Sequence, residues 1–320
     1  MHSSRKPVLM VIAGPTAVGK TRFAIEVAKQ LRTEIISCDS RQMYREMRIG
    51  TAVPSEQELA AVPHHFIGNL SVSDYYNASM FEQECLALLD NLFLKYPVVV
   101  MTGGAGLYID AVVNGIDDFP AVDAEIRKTV TEWHTMYGIE YLRRQLKLLD
   151  PEHFARVDVH NPKRITKAIE VCLQTGKPYS SFLTGMQRTR PFDTVKIALN
   201  RPREELFDRI NRRTCEMMKT GLLEEAEQLF PYRHLNALNT VGYRELFDYM
   251  TGACSLETAT ELIRRNTRRY AKRQLTWFAR DRTWQWIHPD TDGGSVVQAM
   301  DYPDRHTAQN PLNPNSAKVS

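Results

Sequence analysis

Apolar positions in the first hundred residues gather into short continuous runs instead of alternating with polar ones. Residues 8–13 (VLMVIA) form one such run and end at Gly14, the pattern of a strand buried on both faces. Residues 22–31 follow with helical spacing, which places Phe23, Val27 and Leu31 on one side. A second run, 34–38, ends at Asp39-Ser40. A third, 97–101, ends at Thr102-Gly103-Gly104, and 79–94 reads as the helix that crosses over to it. Strand–helix–strand order with short apolar strands predicts an α/β fold with a parallel sheet covered on both sides. Asp39 and Thr102 are expected just beyond strand C-termini, where such sheets bind ligands.

From about 122 to 182 the pattern changes to helix formers with polar faces, as in 139–149 and 164–174, which predicts an all-helical insertion. Residues 195–199 are strand-like and return the chain to the sheet, and helices dominate from 203 to about 280. The expected divisions are a core in two parts, 1–121 and 191–288, an insertion at 122–190 and a polar tail at 289–320. The tail has several prolines and little periodicity, so partial disorder is expected there.

Composition narrows this only slightly. With 320 residues, 43% of them hydrophobic, the chain is long enough for one large core and a smaller attached domain. A net charge of +3 does not by itself argue for nucleic acid, so any basic surface must arise by clustering. Five scattered cysteines without Cys-x-x-Cys spacing argue against a disulfide scaffold or a structural zinc site, and favour a reducing compartment. No apolar stretch approaches membrane-spanning length and none follows the basic N-terminus as a leader would, so a cytoplasmic protein without membrane contact is expected.

The chemistry begins at residues 14–21. Gly14, Pro15, Thr16, Ala17, Val18, Gly19, Lys20 and Thr21 spell G-x-x-x-x-G-K-T between a buried strand and a helix, a P-loop NTPase-like context. Backbone N–H groups there converge on phosphate oxygens, Lys20 adds charge, and the Thr21 hydroxyl is placed for Mg²⁺. The competing reading is a glycine-containing structural turn. An NTPase usually holds Mg²⁺ with an acid at the end of another strand, yet the strand over 98–101 ends in TGGAG. The acid follows the second run instead, in Asp39-Ser40-Arg41-Gln42-Met43-Tyr44, a set suited to a polar planar group with a base beside it. Asp39 acting only as a cap on the next turn stays open.

Two basic clusters follow. Arg264, Arg268 and Lys272 repeat at i, i+4, as do Arg265, Arg269 and Arg273, and Asp281 is the one acid between 264 and 282. Two adjacent rows of cations repel one another unless they meet a polyanion. A solvated face with Tyr270, Trp277 and Phe278 in the core is the alternative. Arg203 and Arg209, just after the returning strand, either reach back to the phosphate site or are ordinary surface arginines.

With these segments in hand, the chain resembles the tRNA dimethylallyltransferases (tRNA isopentenyltransferases) from about residue 6 to 286. The pieces are GPTAVGKT (14–21), DSRQMY (39–44), IGTAVP (49–54), TGGAGLY (102–108), NPKRITKAIEV (161–171), REELFDRINRR (203–213), GLLEEA (221–226), VGYREL (241–246) and TRRYAKRQLTWF (267–278). The resemblance implies transfer of dimethylallyl from its diphosphate to N6 of the adenosine on the 3′ side of the anticodon. It implies a P-loop core, an insertion that clasps the anticodon stem-loop, and a target base flipped into a channel. It assigns Asp39 as general base, Ser40 and Gln42 to the adenine edge, residues 14–21 with Arg203 and Arg209 to the diphosphate, Thr16 to the reacting centre and Thr21 to Mg²⁺. The tRNA contacts it implies are Asp39, Ser40, Arg41, Gln42, Thr102, Ala105, Lys163, Arg164, Lys167, Arg268, Arg269, Lys272 and Arg273.

Three positions depart from the family pattern: Val18 for serine, Ala105 for threonine, and Lys167 for arginine, which meets phosphate without a bidentate fork. The zinc-finger extension of some eukaryotic members has no counterpart, so a chain of bacterial or organellar type is expected; a monomer is the default expectation. The competing functions are a P-loop small-molecule kinase, which predicts ATP turnover, and a non-catalytic RNA-binding protein, which predicts that Asp39 is dispensable.

Overall fold

A computed structural model of the chain describes residues 6–117, 119–185, 188–291, 293, 296 and 297. The expectation of a disordered tail falls, from residue 298 on, outside the described residues.

The chain divides into two compact units, one made of residues 1–113 with 190–320 and the other of Asn114–Thr189. The first holds a six-stranded parallel sheet in the order β3-β2-β4-β1-β5-β6. Its strands are β1 (Val8–Ala13), β2 (Ile35–Ser37), β3 (His64–His65), β4 (Val98–Gly103), β5 (Asp193–Leu199) and β6 (Gln285–Ile287). β1 is central, pairing with β4 on one side and β5 on the other.

The continuous apolar runs have the cause expected of them. Leu9, Val11 and Ala13 of β1 point into one core, and Met10 and Ile12 into the other, because successive side chains leave opposite faces of a strand. Helices α3 (Ala78–Phe93) and α4 (Gly106–Asn114) fill the first core with Phe81, Cys85, Leu89, Ile109 and Val112. The second is filled from α1 (Lys20–Leu31) by Phe23 and Val27, and from α8 (Arg203–Lys219) by Leu206 and Ile210. The short α2 (Glu56–Ala61) leads into β3 under a Ser55–Glu58 capping box.

A third apolar cluster joins α9 (Leu222–Leu229), α10 (Tyr243–Met250) and the start of α11 (Leu256–Phe278) to Tyr44, Met47 and Val72. The 39–54 segment is therefore packed on helices from the far end of the chain.

The second unit is helical: α5 (Ala124–Leu149), α6 (Pro151–Arg156) and α7 (Pro162–Thr175) close over Val130, Leu142, Leu146, Ile165 and Ile169. Gly138 interrupts α5 with φ 71°. The unit starts at Asn114, whose carbonyl accepts from Arg188 N–H at 2.8 Å. Two details differ from the sequence reading. β4 runs on through Thr102 and Gly103, so Thr102 lies inside the strand. The edge strands β3 and β6, two and three residues long, carry no apolar run that would announce them.

Candidate active site at the ends of β1, β2 and β4

Residues 14–19 leave β1 in a conformation that the sequence supports at particular points. A Cβ on Gly14, at φ +150°, would stand 2.6 Å from the Leu199 carbonyl oxygen, so only glycine lets the loop pass β5. Ala17 takes φ 65° and Gly19, the cap of α1, φ 111°. The first turn of α1 contains no acid, which leaves its N–H groups and dipole to an anion.

Three arginines hold this loop, each at a successive residue. Arg213 Nη1 donates to the Thr16 hydroxyl at 3.3 Å. Arg209 Nε donates to the Ala17 carbonyl at 2.8 Å, and buried Arg201 Nε to the Val18 carbonyl at 2.9 Å. From the other side, Gln274 of α11 accepts from Thr16 N–H at 2.8 Å and donates to the Gly104 carbonyl at 2.9 Å. Lys20 Nζ donates to the carbonyls of Gly14 (3.1 Å) and Pro15 (2.9 Å). Burial holds Lys20 down to about 8; Asp39 opposes the shift and Arg213 adds to it. Arg213 is likewise lowered, by burial first. Arg201 is neutralised by Glu205 and Asp290, whereas Lys20 and Arg213 face a single acid, Asp39, so the loop gathers more positive than negative charge, which suits an anionic ligand.

Asp39 closes the site from β2. Its Oδ1 accepts from the N–H groups of Arg41 (2.9 Å) and Gln42 (3.3 Å), which leaves Oδ2 as the oxygen able to take a proton from a ligand. It lies within electrostatic reach of both Lys20 and Arg213. Two phenols share that neighbourhood. Burial pushes Tyr108 of α4 up to about 12, and burial followed by the Asp39 charge takes Tyr270 of α11 well above its ordinary value.

The structure sorts the residues singled out from sequence. Gly14 to Thr21, Arg209 and Asp39 come together, with Ser40 and Arg41 on the turn after Asp39. Arg203 does not join them: it is exposed, with its guanidinium over Phe207 at 5.1 Å. Gln42 does not offer its amide to a base, since both hydrogens go to the carbonyls of Thr51 (3.2 Å) and Ala52 (3.0 Å). The Thr102 hydroxyl is buried and donates to the Ile12 carbonyl at 3.0 Å, tying β4 to β1. Ala105 opens α4, its carbonyl accepting from Tyr108 and Ile109 N–H.

The two cationic rows on α11 also separate. Arg264 and Arg268 turn toward α8, bonded to Cys215 Sγ (3.0 Å) and Asn211 (2.7 Å), and both pair with Glu261. That row therefore has a compensating acid, contrary to the sequence reading, because Glu261 lies one turn before Arg264. Arg265, Arg269, Lys272 and Arg273 are exposed. In the helical unit Lys163 and Arg164 are exposed on the first turn of α7, and the Lys167 ammonium stands 5.7 Å from the Phe119 ring centre.

Arg213 and Gln274 were missed from sequence. Arg213 lies four residues after Arg209 and shares its helix face, a usable signal. Gln274 is a polar residue on the buried stripe of Ala271 and Phe278, where an amide must find partners.

Thr21, at the start of α1, would offer a hydroxyl to Mg²⁺, and among the described residues there is no cluster of three or more His, Cys, Asp or Glu to hold a metal. Such a donor set fits a magnesium held chiefly by diphosphate oxygens and water.

The family model for IPP transferase matches residues 42–281. The chain belongs to the IPP transferase family. Among its relatives, tRNA dimethylallyltransferase 1 of Phocaeicola vulgatus is 50% identical over 88% of this chain and 94% of its own length. The protein of the same name from Bacteroides thetaiotaomicron is 49% identical over 89% of this chain and 93% of its own. Among solved structures, a tRNA isopentenylpyrophosphate transferase from Bacillus halodurans aligns with TM-score 0.66 and 34% identity, over 92% of this chain and 94% of that one. A eukaryotic dimethylallyltransferase acting on tRNA aligns with TM-score 0.78 and 25% identity, over 92% of this chain and 78% of that one. In this chain the loop and Asp39 precede the matched segment, and their placement rests on the geometry above.

Proposed function

We propose that the chain transfers the dimethylallyl group from dimethylallyl diphosphate to N6 of the tRNA adenosine 3′-adjacent to the anticodon, releasing diphosphate. The observation that carries this reading is the facing of two unlike halves: a loop crowded with Lys20, Arg209 and Arg213, and a carboxylate, Asp39, with one oxygen free. N6 attacks the allylic carbon, the carbon–oxygen bond breaks with its electron pair going to diphosphate, and the N6 proton passes to Asp39. The loop cations and the α1 N-terminus stabilise the departing charge. Thr16, whose hydroxyl accepts from Arg213, lies at the reacting end of the loop. Thr21 would hold Mg²⁺, which neutralises diphosphate charge when bound.

The exposed cations of α11 (Arg269, Lys272, Arg273) and those of α7 (Lys163, Arg164) supply phosphate contacts to the RNA, α7 serving the anticodon stem-loop. A tRNA substrate requires a compartment that contains tRNA, the cytoplasm, and among the described residues no helix is long and apolar enough to cross a membrane. No observation favours a small-molecule kinase, whose strand-end acid is replaced by Gly103 and Gly104. The test is mass spectrometry of nucleosides from unmodified tRNA incubated with the protein, dimethylallyl diphosphate and Mg²⁺. N6-Dimethylallyladenosine is expected with the parent, and bound but unmodified tRNA with Asp39→Asn. A parent protein that leaves every adenosine unmodified sinks the reading.

A further inference from the structure

Glu225 of α9 lies far from the phosphate loop in sequence and takes no part in the chemistry above. Its carboxylate nevertheless accepts four hydrogen bonds. Oε2 takes the N–H groups of Arg48 (2.9 Å) and Ile49 (2.8 Å); Oε1 takes Gly50 N–H (2.9 Å) and the Tyr243 hydroxyl (2.6 Å). Three successive backbone N–H groups converging on one point form an anion cradle, and here the protein's own acid fills it. Gly50 permits the approach, since a Cβ there would stand 2.6 Å from the Tyr243 ring.

The cradle leads directly to the general base. The next two residues, Thr51 and Ala52, present the carbonyls that hold the Gln42 amide, and Ala52 is kept at φ 48°, a conformation alanine rarely adopts unaided. Gln42 in turn gives its N–H to Asp39 Oδ1. A continuous series of hydrogen bonds therefore runs from Glu225 through residues 48–52 and Gln42 to Asp39. The diphosphate loop is held by a different set, Arg201, Arg209, Arg213 and Gln274.

We propose that Glu225 is a positioning residue for the acceptor half of the site: it fixes the 48–52 loop that aligns Asp39 with the incoming adenine, and leaves the donor half alone. This rests on the functional reading given above. Because the two halves have separate supports, the substitution is expected to separate the two substrates kinetically.

The test compares the parent with Glu225→Gln and Tyr243→Phe, measuring kcat, the KM for each substrate, and the thermal midpoint. In Glu225→Gln an amide NH₂ faces N–H groups that need an acceptor. A misplacement of this kind is expected to raise KM for tRNA about tenfold and lower kcat about tenfold, with KM for dimethylallyl diphosphate unchanged. Tyr243→Phe removes one bond of the four and is expected to move the same two parameters by roughly two- to threefold. A destabilised enzyme would instead have fewer active molecules with both KM values intact. The proposal is overturned if both KM values stay at the parent's, or if the donor KM rises along with that for tRNA. A parent that does not transfer at all overturns the functional reading; a parent that transfers while its variants keep both KM values overturns the positioning role alone.

Discussion

Replacing Arg213 by alanine removes a guanidinium that touches the Thr16 hydroxyl at 3.3 Å and lies within electrostatic reach of both Asp39 and Lys20. A diphosphate oxygen about 4 Å from that guanidinium gains about 4 kcal/mol at an effective dielectric of about 20. Lys20 and Arg209 remain to share the load, so the loss should resemble that of one charge-stabilising donor, roughly 2.7–4 kcal/mol or two to three decades in rate. The free protein should respond oppositely. Arg213 is a partly buried cation whose own charged form burial disfavours, and it presses on Lys20, so its removal relieves repulsion and should shift the thermal midpoint by no more than roughly 3 °C. The assay is the initial rate of labelled dimethylallyl transfer to tRNA at subsaturating donor, beside scanning fluorimetry of the same preparation. Arg213→Lys should fall between, having charge without a planar fork. A variant with normal melting and kcat/KM within about threefold of the parent would refute the reasoning.

Four further outcomes follow from the same geometry. Lys20, held to about 8 by burial, loses its proton in the free enzyme as pH rises through that value, so kcat/KM for the donor should fall above about pH 8. kcat should persist to higher pH because bound diphosphate favours the ammonium; a flat kcat/KM profile to pH ~9.5 contradicts this. The sign for stability is opposite: between about 8 and the ordinary 10.5 the unfolded chain keeps a proton that the folded one has released, so this residue's contribution to stability increases over that window, readable by denaturant titration. Gln274→Leu leaves Thr16 N–H and the Gly104 carbonyl without partners, at about 1–3 kcal/mol each, and a loss under ~1 kcal/mol in urea would show the bridge to be unimportant. Arg203→Ala should keep transfer within about twofold, since it gives up only an exposed stacking contact of about 0.5–1 kcal/mol, whereas Arg209→Ala should cut kcat/KM for the donor at least tenfold; equal effects would return Arg203 to the site.

The parts legible in sequence were those where one residue type answers one physical demand. Continuous apolar runs mark strands buried on both faces, and β1, β2, β4 and β5 fall where those runs lie. The loop announced itself because Gly14 and Gly19 meet backbone demands that few other residues meet. What was not legible depends on direction. Arg203 and Arg209 look equivalent along the chain, yet six residues on a helix put them on different faces, and only Arg209 returns to the loop. Gln42 and Thr102 carry groups a ligand could use, and the backbone claims them first. Likewise Arg268 reads as part of a cationic row until Asn211 and Glu261 appear beside it.

The bond between Thr16 N–H and Gln274 spans 258 residues. During synthesis the phosphate motif leaves the ribosome early, but the helix that secures it arrives after nearly the whole chain has been made. At about 5–20 residues per second the loop waits roughly 13–50 s for that partner. Throughout that interval the nascent chain carries every residue of the motif without the amide that braces it. A messenger truncated between codons 22 and 273 would yield a product that matches the phosphate signature in full and lacks the Gln274 brace of the catalytic cleft.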